Sequence, residues 1–174
     1  SHVVSRTNKI YSDVLSGLAK QDLKKLTKSK KGVEKLDAEI EELRDHIFYF
    51  IKNLDETSVR GSNFYIIILG HLTDIAQSLE FITKKSYKHI NNNHKALKFN
   101  QIKDLQEIDS SFDNLLTDIV SIFDNREFEK LEDILQRKEK AFEDISEMIH
   151  KQIVRTRTDE SSPKNTTLYF SLLM

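Results

Sequence analysis

The sequence predicts an all-α fold, an elongated up-and-down helical bundle. Three observations predict it. The 174 residues include only four glycines and one proline, where an average soluble domain has about 7% and 5% of each. Sheets need many turns, and Gly and Pro are the residues that punctuate turns. Apolar residues recur at alternating steps of three and four, clearest in Val33, Leu36, Ile40, Leu43, Ile47, Phe50 and Leu54, which makes one seam along a long helix. The polar breaks between such stretches are short, as expected of antiparallel neighbours in a bundle.

The elements follow in order. Residues 3–18 read as a helix, with Val3, Ile10, Val14 and Leu18 on one face and Gly17 as a weak stop. Asp22 is a good N-cap for a second helix, which carries the long seam. Gly32 interrupts just before the seam, at a cost of about 1 kcal/mol in a helix interior. The polar stretch Asp55 to Ser62 predicts a reversal. A third helix, about 63–90, opens with Phe64 to Leu69, apolar on every side, and continues through Leu72, Ile75, Leu79 and Ile82. A helix apolar all round is expected at the centre of its bundle. Asn91-Asn92-Asn93 ends it, and 94–100 connects to a fourth helix, about 101–123, with the face Ile102, Leu105, Phe112, Leu116, Ile119 and Phe123. After Asp124-Asn125-Arg126, a fifth helix (about 127–156) presents Phe128, Leu131, Leu135, Phe142, Ile145 and Ile149, with Lys138 on the same stripe. Pro163 is placed to open a sixth helix. The longest purely apolar run is six residues, whereas a bilayer span needs about 20, so no helix is expected to cross a membrane.

With 38% hydrophobic and 32% charged residues, the chain suits amphipathic helices around one core. The expectation is a single helical domain, 1–174, that reads as a piece of a longer chain. It contains no cysteine, which excludes thiol catalysis, disulfides and thiolate metal sites. Asn165-Thr166-Thr167 matches a glycosylation sequon. Net charge is −1, yet charge is segregated. Residues 1–36 hold nine Lys/Arg against three acids, 61–103 hold six Lys against two, and 104–147 hold fourteen acids against five Lys/Arg. Basic flanks of this kind suit anionic lipid or phosphate. Without a basic overall balance or a recognition motif, nucleic-acid binding is not expected.

Several side chains carry potential chemistry. Ile67, His71, Asp74, Ser78 and Phe81 share one stripe of the third helix. His71 and Asp74 could hold a cation if another helix supplied further ligands; otherwise they are a helix-surface pair. Carboxylates four apart (Asp37 with Glu41, Glu41 with Asp45, Asp109 with Asp113, Glu139 with Glu143) could bridge a divalent or ferric metal, or form solvated faces. Asp109 stands out because it sits at a seam position between Leu105 and Phe112, unless Ile108 turns inward instead. The candidate metal ligands are thus His71, Asp74, Asp109 and Asp113. Glu147-Met148-Ile149-His150 matches one Glu-x-x-His of di-iron bundles, but that chemistry needs two. Glu42 and His46 read as a surface ion pair. No glycine-rich phosphate loop or nucleophile elbow is present, so an enzyme is not expected.

The stretch Gly61-Ser62-Asn63-Phe64-Tyr65, Leu69-Gly70-His71-Leu72-Thr73-Asp74-Ile75-Ala76-Gln77-Ser78-Leu79, Phe81-Ile82 and His89-Ile90-Asn91-Asn92-Asn93-His94-Lys95 resembles the PhoU-like domain at the cytoplasmic end of inorganic phosphate transporters in Bacteroides-type bacteria. The long helix ahead of it, Leu36 to Glu56, and the acidic helix pair behind it are similar in layout. The specific part covers about 35 residues. The resemblance implies a cytoplasmic bundle, at the inner face of the membrane, that tunes phosphate import by contacting the transporter. It also implies that metal binding through acidic motifs is possible. The family motif is an acid, three residues, then Asp. Asp74 matches the second acid, whereas the first falls on Gly70, with His71 beside it. Lys20 to Lys35 and Lys84 to Lys103 are the basic stretches for lipid or transporter loops. Two further readings stand beside this one: a dimerising or tethering bundle without a ligand, and a di-metal carboxylate enzyme.

Overall fold

The computed structural model describes residues 2–55 and 58–174, apart from the side chains of residues 59–61. The fold is all-α, 87% helical. Among the described residues six α-helices follow in order: α1 (His2–Ala19), α2 (Leu23–Lys52), α3 (Val59–Asn91), α4 (Phe99–Asn125), α5 (Leu131–Arg157) and α6 (Pro163–Leu173). One 3₁₀ turn, Phe128–Lys130, precedes α5. Glu56 and Thr57, within the expected reversal, lie outside the described residues.

Local chemistry sets the ends. The Asp22 carboxylate accepts from the Lys25 amide at 3.0 Å and starts α2. Ser162 caps α6 ahead of Pro163 by accepting from the Asn165 amide at 3.2 Å, since proline at the first helical position gives up only an N–H that has no helical partner. Four turns place a non-glycine residue in the left-handed region: Gln21, Asn93, Arg126 and Asp159. These are the helix ends where glycine is usual; among the described residues no glycine has positive φ.

Two glycines, Gly17 and Gly32, instead serve packing. A Cβ on Gly17 would sit 3.1 Å from the Leu26 side chain, and one on Gly32 would sit 3.3 Å from Ile10. Neither glycine breaks its helix. Both let α1 and α2 approach closely.

α1, α2 and α3 pack together as a three-helix unit. α4 lies against α1, α5 against α4, and α6 against both α3 and α5. The core runs through Ile10, Val14 and Leu18 of α1, Leu26, Val33, Leu36 and Ile40 of α2, Leu79 and Ile82 of α3, Leu105 and Ile108 of α4, Met148 of α5, and Leu168, Tyr169 and Leu172 of α6.

Two expectations are corrected. The all-apolar opening of α3 is not central: Phe64, Tyr65, Ile66 and Ile67 are all exposed, and Leu69 is the first of its described apolar residues to be buried. The inward face of α5 follows the expected stripe only in part: Ile145 and Ile149 pack against the core. Ile134, Met148 and Gln152 are buried, while Phe128, Leu135 and Phe142 face out. Ser62–Asn91 is long and apolar enough to cross a membrane by length and composition, with a mean hydropathy of 1.2 over its most apolar window.

Candidate interaction surface

The four candidate metal ligands do not come together. His71 and Asp74 are exposed on α3. Asp109 and Asp113 face α1 from α4, where hydrogen-bond donors take them up. The Ser12 hydroxyl donates to Asp109 at 2.6 Å, and the Asn8 amide donates to Asp113. Asp109 is half-buried, and burial pushes its carboxyl above the usual range, with the Asp113 charge adding to the rise and Ser12 opposing it. Beside it the Tyr11 ring meets Phe112 edge-on at 5.9 Å. This is an interhelical polar joint. Both inward positions that the sequence left open for α4 are used: Ile108 is buried toward the core and Asp109 toward α1. Among the described residues, no group of three or more His, Asp or Glu stands close enough to hold a metal ion.

Glu147, of the single Glu-x-x-His, pairs with Lys151 at 3.2 Å, and His150 is exposed. Both Glu147 and Lys151 line a shallow groove of about 160 Å³ between α4 and α5, with Asp104, Glu107, Asp144 and Met148. Most of its carboxylates meet a cation: Asp144 meets Lys140 at 2.7 Å and Asp104 meets Arg155 at 3.2 Å.

A buried polar node joins α4, α5 and α6. The Gln101 amide donates to the Gln152 carbonyl oxygen at 3.0 Å and toward Ser161 at 3.3 Å. Its own oxygen accepts from the Lys98 amide at 3.0 Å. Gln152 in turn donates to Thr166 at 3.2 Å. Nearby, the Tyr169 hydroxyl donates to Asp104 at 3.0 Å; burial, then the Asp104 charge, push this phenol above its usual range. The apolar periodicity of α4 and α5 carried no sign of this node, because glutamine interrupts a seam without looking apolar.

His89 closes α3 and is buried. Its Nε2 lies 2.8 Å from the Lys95 carbonyl, so the neutral ring donates there. Burial holds its pKa below the usual value, and His94, 5.2 Å away ring to ring, lowers it further.

The outer surface divides into three zones. Antiparallel α2 and α3 bring the first turns of α2 beside the last turns of α3, with Lys30 over the Tyr87 ring at 4.5 Å. The two basic stretches therefore meet at one end, where Lys24, Lys28, Lys31, Lys84, Lys85 and Lys88 are exposed. The opposite end of the α2–α3 hairpin carries exposed apolar side chains: Phe48, Tyr49 and Phe50 of α2 and Phe64, Tyr65, Ile66 and Ile67 of α3, with the Phe50 and Tyr65 rings edge-on at 5.9 Å. The far end of the α4–α5 pair carries the acids, plus an exposed Phe123–Phe128 ring pair at 5.6 Å.

No protein-family model, curated protein or solved structure matches this chain.

Proposed function

We propose that the chain is a regulatory module of inorganic phosphate transport, a PhoU-like domain that acts by contact with a membrane phosphate transporter at the cytoplasmic side and has no catalysis of its own. The observation that carries this reading is the meeting of the two lysine stretches at one end of the bundle. That end includes Lys84–Lys95, within the segment whose sequence resembles the PhoU-like domain. Each lysine near an anionic surface adds about 1 kcal/mol of attraction, and several on one face add up over a broad contact. The shape is consistent with the reading: long helices offer extended faces, and the α4–α5 groove is smaller than the roughly 300–1,000 Å³ of usual ligand pockets.

The test is uptake of labelled phosphate into proteoliposomes holding a phosphate transporter from the same genome, with and without the chain. The expected result is a changed initial rate that disappears when Lys24, Lys28, Lys84 and Lys88 are replaced by Glu, and that weakens with salt. Unchanged uptake with every phosphate transporter of that genome sinks the reading.

A tethering role is favoured by a separate observation, the apolar end of the α2–α3 hairpin.

A further inference from the structure

We infer that the end of the bundle where three internal connections meet docks on an anionic phospholipid surface, with the Phe99 ring entering the lipid interface. The inference rests on the transport reading for the side of the membrane this end faces, and it names lipid as what the lysines meet.

The up-and-down order brings three connections to this end: 20–22 between α1 and α2, 92–98 between α3 and α4, and 158–162 between α5 and α6. Their neighbours touch. Lys25 of α2 reaches Ser16 of α1 at 3.1 Å, and Lys30 of α2 lies over Tyr87 of α3. The Asn165 amide of α6 donates to the Ala96 carbonyl at 2.9 Å. The face is thus built from the middle of the chain.

Six lysines are exposed here: Lys20, Lys24, Lys88, Lys95, Lys98 and Lys103. Residues 88–103 contain no acid. Asp22 is engaged in capping α2, and the α5–α6 connection is balanced, with Arg157 and Lys164 against Asp159 and Glu160. Other lysines are matched inside the molecule: Lys84 with Glu80, Lys130 with Glu127 at 2.7 Å and Lys140 with Asp144 at 2.7 Å. Among the described residues, none of the six has such a partner. α4 runs from this end to the opposite one, about 40 Å away at 1.5 Å per residue. There residues 124–133 hold five acids against two cations. This lengthwise difference in charge turns the lysine end toward a negative surface.

Amid these lysines Phe99 opens α4, 78% exposed; no aromatic side chain among the described residues is more so. Its position is held. His89 Nε2 lies 2.8 Å from the Lys95 carbonyl, Asn165 holds Ala96, Leu97 is sunk into the core, and the Lys98 amide donates to Gln101 at 3.0 Å. A loop fixed at residues 95–98 carries the next ring outward. Aromatic rings settle at the level of lipid headgroups, and lysine stems reach past them to the phosphates.

The chemistry selects the partner. Lysines are point charges, without the paired geometry by which arginine reads one phosphate or carboxylate. These six are spread over two connections and the ends of three helices, and the α4–α5 groove does not include them. A broad anionic plane matches that spread better than a small anion does. Single-stranded nucleic acid stacks on successive rings, and these connections offer one.

The chain contains no tryptophan, so Phe99→Trp makes a single reporter. Its emission is expected to shift to the blue, and the protein to sediment, with vesicles of equal parts phosphatidylglycerol and phosphatidylcholine. Neither happens with phosphatidylcholine alone, and salt reverses both. Phe123→Trp, at the acidic end, stays unshifted. In the otherwise unchanged chain, Lys95→Gln with Lys103→Gln lowers vesicle affinity about 25-fold, about fivefold for each charge. Phe99→Ser lowers it about tenfold. The urea midpoint stays put in these variants because the side chains are exposed; if the lysine pair shifts it, Lys20→Gln with Lys24→Gln takes their place. An unshifted Phe99→Trp, equal binding to neutral vesicles, an equal shift at Phe123→Trp, or tighter binding to single-stranded RNA than to the anionic vesicles overturns the proposal. The vesicles hold no transporter, so the two readings separate. Docking without any effect on phosphate uptake removes the transport reading alone, and an effect on uptake without docking on bare vesicles removes this one alone.

Discussion

The lower seam of α2, Val33 to Ile40, and its continuation, Leu43 to Leu54, share one spacing and one residue chemistry but differ in what lies across from them. The first is sealed by α1 and α3 and belongs to the core. The second meets only α3, and its rings face out. Burial, and with it stability, therefore follows from the partner helix and not from the repeat.

That contrast can be broken by mutation. The largest effect belongs to the sealed half. Leu36, fully buried, changed to Ala loses about 2–5 kcal/mol, read as a drop in the urea midpoint. A change of that size at Leu43 would erase the distinction between the two halves. Gln101→Ala, in the polar node, strips Gln152 of its donor and costs about 1–3 kcal/mol. That loss falls with little change in the α1–α2 contact, so hydrogen exchange should rise first in α6.

His89 gives a pH dependence. Its folded pKa lies below the unfolded value of about 6.5, so the unfolded chain binds the extra proton first. Its contribution is present above that pH and is lost as pH falls through the depressed folded value. Wild-type stability should decline below about pH 6.5, and the decline should flatten in His89→Gln; parallel curves would remove His89 as the cause. Gln21→Gly relieves a left-handed non-glycine residue at the α1 end and is expected to raise stability by about 1 kcal/mol. Smallest is Tyr49→Ser at the open end. Stability should stay within about 0.5 kcal/mol, while binding of a fluorescent apolar dye falls.

Much of the fold was legible in the residues. Asp22 and Pro163 mark the starts of α2 and α6 as expected, and Asn91-Asn92-Asn93 marks the end of α3, because caps and breakers act through their own backbone. Facing was less legible. On α5, Leu135 and Phe142 looked inward by hydrophobicity, yet Ile134, Met148 and Gln152 are buried. Two apolar stripes one residue apart differ by about 100° of rotation, and only the neighbouring helix selects between them. Of the candidate ligands, Asp109 occupies the seam position that the spacing picked out and is half-buried against α1, while Ile108 beside it takes the core. Its partner Ser12 sits 97 positions away on α1, a pairing that no local spacing encodes.

Composition, periodicity and capping residues by themselves determined that this chain is helical, where α2 and α6 begin and α3 ends, and that its charge is divided along its length. Tertiary packing alone decided that two lysine stretches share an end, that a glutamine pair lies in the core, and that half of one seam is left open. The reason is range: propensity and capping act over one turn, whereas burial depends on which distant helix arrives opposite.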